Sequence, residues 1–139
     1  MTKGKSYEFY FSVPFHDLDP MHVVWHGNCI KYFDQARFGL FKECGIDLYR
    51  YSLDNKCFFP VTKTWTKHIF PLYYADELIC RATVKEASIK IVIDFTIRRS
   101  IDEVVCIKGQ GEQVAVKHPE METLLEIPFE VRRALGFEE

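Results

Sequence analysis

Along residues 7–15 apolar side chains alternate at Tyr7, Phe9, Phe11, Val13 and Phe15, with Glu8 and Ser12 on the opposite face. That period of two predicts a half-buried strand. The period then changes. After the Asp19-Pro20 turn, Ile30, Phe33, Ala36, Arg37, Leu40, Phe41 and Cys44 recur at helical spacing, and Gly45 stands where a glycine would end a helix. One long helix over residues 28–44 is expected. Residues 46–56 are polar and irregular and read as a loop carrying a short turn of helix. Four extended segments follow, over residues 59–70, 77–86, 88–99 and 104–117. The third is clearest, with Ile89, Ile91, Ile93, Phe95 and Ile97 opposite Lys90, Asp94, Thr96 and Arg98. Tight connections at residues 85–88 and 100–103 make these neighbours antiparallel hairpins. Pro128 and Gly136 bracket a short terminal helix. The order strand, long helix, four antiparallel strands predicts an α+β domain with the helix lying against a curved sheet. Such a sheet keeps open edges, for which self-association is the usual remedy.

Composition narrows the picture further. At 139 residues the chain is expected to be one domain, and with 47% hydrophobic and 15% aromatic residues it fills a core without disulfides or metal. Its net charge of −2, with basic residues scattered along the chain, gives no reason to expect nucleic acid or an anionic membrane as partner. Cys29, Cys44, Cys57, Cys80 and Cys106 are odd in number, lack zinc-ligand spacing and read as reduced, buried thiols. The charged N-terminus leads into no apolar leader and no run is long enough for a membrane span, so a cytoplasmic protein is expected.

Candidate chemistry concentrates between Phe15 and Arg37. Asp17 and Asp19 end an apolar strand, Pro20 stops it, His16, His22 and His26 crowd the turn, and the helix follows. A carboxylate facing a helix N-terminus suits reaction at a carbonyl, because the carboxylate attacks or activates water while helix amides stabilise the oxyanion. Asp19 also fits a plain turn-bracing role, since Asp-Pro favours turns. The His and Asp residues invite a metal reading, but they span the turn and the helix start, where side chains need not converge, and none is expected. Within the helix, Asp34 is assigned to an ion pair with Arg37, Asn28 to the helix N-cap and Trp25 to the core or an acyl pocket. Gly109 and Gly111, inside a strand, mark a bulge or a close backbone approach.

These residues together resemble the 4-hydroxybenzoyl-CoA thioesterase family of the hotdog fold. The resemblance rests on Asp17-Leu18-Asp19-Pro20, Val23-Val24-Trp25-His26 and the helix segment Tyr32-Phe33-Asp34-Gln35-Ala36-Arg37. It extends through Ile69-Phe70, Tyr73, Ala75-Asp76-Glu77-Leu78 and the terminal Ile127-Pro128 and Val131-Arg132-Arg133-Ala134-Leu135. It implies a five-stranded antiparallel sheet wrapped around one long central helix, and assembly into homodimers or homotetramers whose sites use two chains. It also implies hydrolysis of an acyl-CoA without metal or other cofactor. By position Asp19 would be the catalytic carboxylate, as nucleophile or general base, and His26 would offer its backbone N–H to the thioester oxygen. Val24, Trp25 and Gly27 would line the substrate site, and Asp17 would make a strand-end hydrogen bond to the turn backbone. Lys85 and Lys90 would hold the CoA phosphates, a thinner basic cluster than the family's. An acyl carrier protein, or CoA held by Arg98, Arg99 and Lys67, stays open beside it. A hotdog hydratase or dehydratase and a non-catalytic acyl-thioester binding module are the alternative readings.

Overall fold

Strand β1 (Ser6–Ser12) opens the chain, and its alternation holds as read, with Val13 buried and Tyr10 turned to solvent. The strand stops short of Phe15. Val13 N–H bonds to Asp76 O, Pro14 has no N–H to offer, and Phe15–Asp17 curl into a 3-10 turn that leaves Phe15 exposed. Helix α1 (Asn28–Glu43) follows. It ends as Gly45 predicts: with φ +87° this residue lets Gly45 N–H reach Lys42 O and Ile46 N–H reach Phe41 O. The irregular segment forms a full helix, α2 (Leu48–Asn55), capped by Asp47, whose Oδ1 accepts from Arg50 N–H at 3.0 Å.

The remaining elements are β2 (Cys57–Phe58), β3 (Val61–His68), β4 (Glu77–Ala87), β5 (Ile91–Arg99), β6 (Val105–Gln113), β7 (Val116–Lys117), β8 (Glu122–Thr123) and α3 (Phe129–Ala134). The structure, a computed structural model, describes residues 4–137. Residues 1–3, where the reading of a leader-free N-terminus begins, lie outside them. The main sheet is antiparallel and five-stranded in the order β1-β4-β5-β6-β3. A second, three-stranded sheet, β2-β7-β8, was not legible in the sequence, where residues 104–117 read as one strand. Two-residue strands carry too little alternation to announce themselves. Ile89 also departs from its expected face: it sits in the β4–β5 turn, 67% exposed, while Ile91, Ile93, Phe95 and Ile97 are buried as expected.

Helix α1 lays Cys29, Tyr32, Phe33, Ala36, Leu40 and Phe41 on the sheet. The Phe33 ring stacks on Phe95 at 4.5 Å over the backbone of Gly109. A Cβ on Gly109 would overlap the Phe33 ring and come within 2.8 Å of Trp65 O, so the glycine inside β6 marks a close approach. Four of the five cysteines are buried and all are free. Among the described residues no helix is long and apolar enough to cross a membrane. Overpacking at Gly109 has a measurable consequence: Gly109→Ala should destabilise the fold by about 1–3 kcal/mol. Gly111→Ala, whose Cβ would meet Phe95 at 3.4 Å, should cost much less; thermal melts of the two variants side by side check this.

Candidate active site

The turn after β1 is built around Asp17 and Asp19, which do different work. Asp17 is buried, and its carboxylate accepts from Tyr32 OH at 2.6 Å and Lys31 Nζ at 2.8 Å, both on α1. Its backbone oxygen accepts from Trp25 N–H at 3.0 Å and from Asn28 Nδ2 at 2.9 Å. Two expectations are thereby corrected. The Asp17 side chain binds helix side chains rather than turn backbone, because the 3-10 turn points it inward. Asn28 is not the N-cap: Gly27 holds that position without a side-chain cap, and Asn28 reaches back to Asp17 instead. Burial alone would push the Asp17 carboxyl up, but the hydrogen bonds from Lys31 and Tyr32, with the charges of Lys31 and His16, outweigh it and hold it below its ordinary value. Burial and the Asp17 charge drive the Tyr32 phenol far above its own.

Asp19 faces the other way. Its Oδ1 accepts from Met21 N–H at 2.8 Å and Val23 N–H at 3.5 Å, so one carboxylate oxygen braces the turn. Its N–H donates to Val23 O at 2.8 Å, and Val24 N–H continues to Leu72 O at 2.9 Å. Among the described residues Oδ2 accepts no hydrogen bond. Asp19 lines a cavity of about 330 Å³ with Met21, Val23, Val24, His26 and Cys29. His68 to Leu72 and Ile107 of β6 complete its lining. At the start of α1, Asn28 N–H returns to Trp25 O and Cys29 N–H to His26 O, whereas among the described residues the amides of His26 and Gly27 enter no such hydrogen bond. Two free donors at a helix start, beside a carboxylate in a cavity otherwise lined by apolar side chains and two histidines, can hold an oxygen bearing negative charge.

The expected site residues separate into those the fold brings together and those it does not. Asp19, Val24 and His26 share the cavity. Gly27 adjoins it, and the Trp25 ring lies on Gly27 so closely that a Cβ there would come within 2.8 Å of Trp25 Cε3. Trp25 itself is half-exposed, its ring 5.3 Å from that of His26. Lys85 and Lys90 lie at the β4–β5 turn, paired with Asp94 at 3.8 Å and Glu112 at 3.0 Å. The cavity sits near Ile107, which pairs with Ile97 at the other end of β5, about 20 Å from Lys90 and about 14 Å from Lys85 along the strand. Within one chain these lysines therefore do not reach it. His16 stands beside Asp17 and His22 lines a separate groove with Phe15, Tyr73 and Tyr74, so the turn histidines diverge. Asp34 pairs with Arg37 at 2.7 Å as expected. The residue that sequence reasoning missed is His68. Its signal was the alternation of Thr64, Thr66 and His68 along β3, which sets them on one face.

No protein-family model matches the chain, and no curated protein matches it in sequence. Solved structures do match. A 1,4-dihydroxy-2-naphthoyl-CoA thioesterase from Synechocystis superposes with a TM-score of 0.87 at 17% identity, covering 94% of this chain and 96% of that one. The 4-hydroxybenzoyl-CoA thioesterase from Pseudomonas sp. strain CBS-3 gives 0.84 at 19% identity, over 94% and 99% of the two chains. A gentisyl-coenzyme A thioesterase gives 0.81 at 23%, over 93% and 99%.

The Asp17 cluster predicts a pH signature. A depressed carboxyl contributes stability that is present above its unfolded value and lost as pH falls through the folded one. Asp17→Asn should therefore cost about 1.5–3 kcal/mol at neutral pH, and the gap from wild type should close below about pH 4, as read by denaturant unfolding across pH. By superposition over nearly the whole of each chain, at TM-scores of 0.81–0.87, the architecture is that of these thioesterase structures: the chain has the hotdog fold.

Proposed function

We propose that the chain is a cytoplasmic acyl-CoA thioesterase whose catalytic carboxylate is Asp19. The observation that carries this reading is the meeting of Asp19 with the helix start at His26 and Gly27 in one largely apolar cavity, on a fold shared with solved thioesterases. The thioester carbonyl oxygen lies against the free amides of His26 and Gly27, where the helix dipole and both donors favour the developing charge. Asp19 then acts in one of two ways. As general base it takes a proton from water attacking the carbonyl. As nucleophile it forms a mixed anhydride that water opens. Oδ1, held by the turn amides, fixes the carboxylate plane and leaves Oδ2 toward the substrate. Val24 packs beside the acyl group, and no metal is called on in either route.

The cavity is completed by a second chain. Strand β3 is a sheet edge, exposed along nearly its whole length, with Trp65 45% exposed, and it runs straight into the His68 wall. Pairing of two such edges would join the sheets, each wrapping its α1 as a central helix, into a homodimer or a homotetramer of dimers. The carrier is CoA, whose phosphates Lys85 and Lys90 would meet from the neighbouring chain; an acyl carrier protein is the other carrier this allows. A hydratase or dehydratase is a second reading, because His26 lines the same cavity as Asp19 and such chemistry uses an Asp/His pair.

Two experiments test these statements. Asp19→Asn keeps shape and removes the charge, so thiol release from acyl-CoA should fall about a hundredfold or more, with thermal stability little changed and Asp17→Asn far less damaging to turnover. Retained hydrolysis would sink the role of Asp19, and double-bond chemistry without thiol release would replace it with the hydratase. Sedimentation at micromolar concentration should show a dimer or larger species; a fully active monomer would overturn the two-chain site.

A further inference from the structure

The His68 imidazole lines the cavity and has no task in the chemistry just described. His68 ends β3, is exposed, and lines the same cavity as Asp19 and His26. Its neighbours in that lining, Ile69, Phe70 and Leu72, are apolar, and from β6 it meets Ile107. The titratable groups facing it are Asp19, His26 and Cys29. Burial pushes the Cys29 thiol up to about 12, so it stays neutral. The His26 ring stands edge-on at 6.4 Å, and Lys67 and Lys108 alternate to the other face of the sheet. His68 Nε2 lies 3.2 Å from Thr66 Oγ1, which occupies one ring nitrogen and leaves Nδ1 for another partner.

We propose that His68 is the proton donor to the departing thiolate, an inference that rests on the thioesterase reading above. With the carbonyl oxygen on the His26 and Gly27 amides and Asp19 on the turn side, His68, whose ring stands 6.4 Å from that of His26 in the same cavity, is the side chain of β3 placed to meet the sulfur. As the carbon–oxygen bond to the attacking group forms, the carbon–sulfur bond breaks and its electron pair stays on sulfur. The sulfur takes a proton from the His68 imidazolium and leaves as the thiol. Where Asp19 is the base, it holds the proton drawn from water, and that proton returns to His68 once the products leave. Where Asp19 is the nucleophile, the water that opens the anhydride gives one proton to bulk water, and His68 regains one from it. Both routes consume one water and yield one acid and one thiol.

Leaving-group dependence tests this. Two thioesters of the same acyl group are compared, one of CoA and one of an aryl thiol that ionises well below neutrality and needs no proton to depart. His68→Gln should lower kcat for the CoA ester about a hundredfold, the scale of a lost general acid. Turnover of the aryl ester should change less than about threefold, which also shows that the site is folded. Equal losses on both esters, or no loss on either, would overturn the role of His68. A wild-type protein that releases thiol from neither ester would instead overturn the thioesterase reading, and this role with it.

Discussion

Everything at the candidate site depends on the burial of one carboxylate. Asp17 sits 3% exposed between the end of β1 and the first turns of α1, with Tyr32 OH and Lys31 Nζ on its oxygens. A buried charge of this kind is tolerable only when its lone pairs are filled. Filling them clamps helix to turn. The same residue's backbone oxygen collects Trp25 N–H and Asn28 Nδ2, so the loop between Asp17 and Asn28 closes on itself. Asp19 and the amides of His26 and Gly27 are thereby held in one relative geometry. Pre-positioned donors and carboxylate are what electrostatic catalysis at a carbonyl requires.

The second constraint is how closely α1 can approach the sheet. Phe33 stacks on Phe95 above a glycine backbone, and Gly109 is the residue that makes room. This contact sets the depth of the helix and, through it, the height of the helix start above Ile107, the floor of the cavity. Packing in the centre of the sheet and chemistry at its end are coupled by the rigidity of one helix. The edge strand β3 contributes a wall and an unpaired edge together, which ties the site to the assembly expected of the chain.

Fold alone does not decide chemistry. The structures that superpose on this chain share its layout at identities of 17–23%, and what argues for thioester hydrolysis here is the site built from its own residues. The division of labour between the two aspartates is the clearest instance: residues two apart in sequence, one is consumed by side chains of α1 and the other opens to the cavity. Their shared motif could not say which was which from composition. The 3-10 turn at Phe15–Asp17 decides it by turning Asp17 inward.

Alternation and helical spacing are local signals, and what they carry is correct here. The long helix, its glycine stop, the burial of Ile91, Ile93, Phe95 and Ile97, the Asp34–Arg37 pair and the terminal helix were all legible along the chain, because each is set by neighbours within one or two turns. The Asp19 carboxylate beside a helix start was legible for the same reason, since strand, turn and helix are contiguous. What tertiary structure alone decided involves residues far apart. His68 joins the cavity across more than forty positions from His26, Lys85 and Lys90 lie toward the β4–β5 turn, away from the cavity of their own chain, and the small β2-β7-β8 sheet gathers two-residue strands from separate segments. Strand order and register fix these distances, and neither is written in the periodicity of any one strand: period two states which face a residue takes, and only pairing states what it faces.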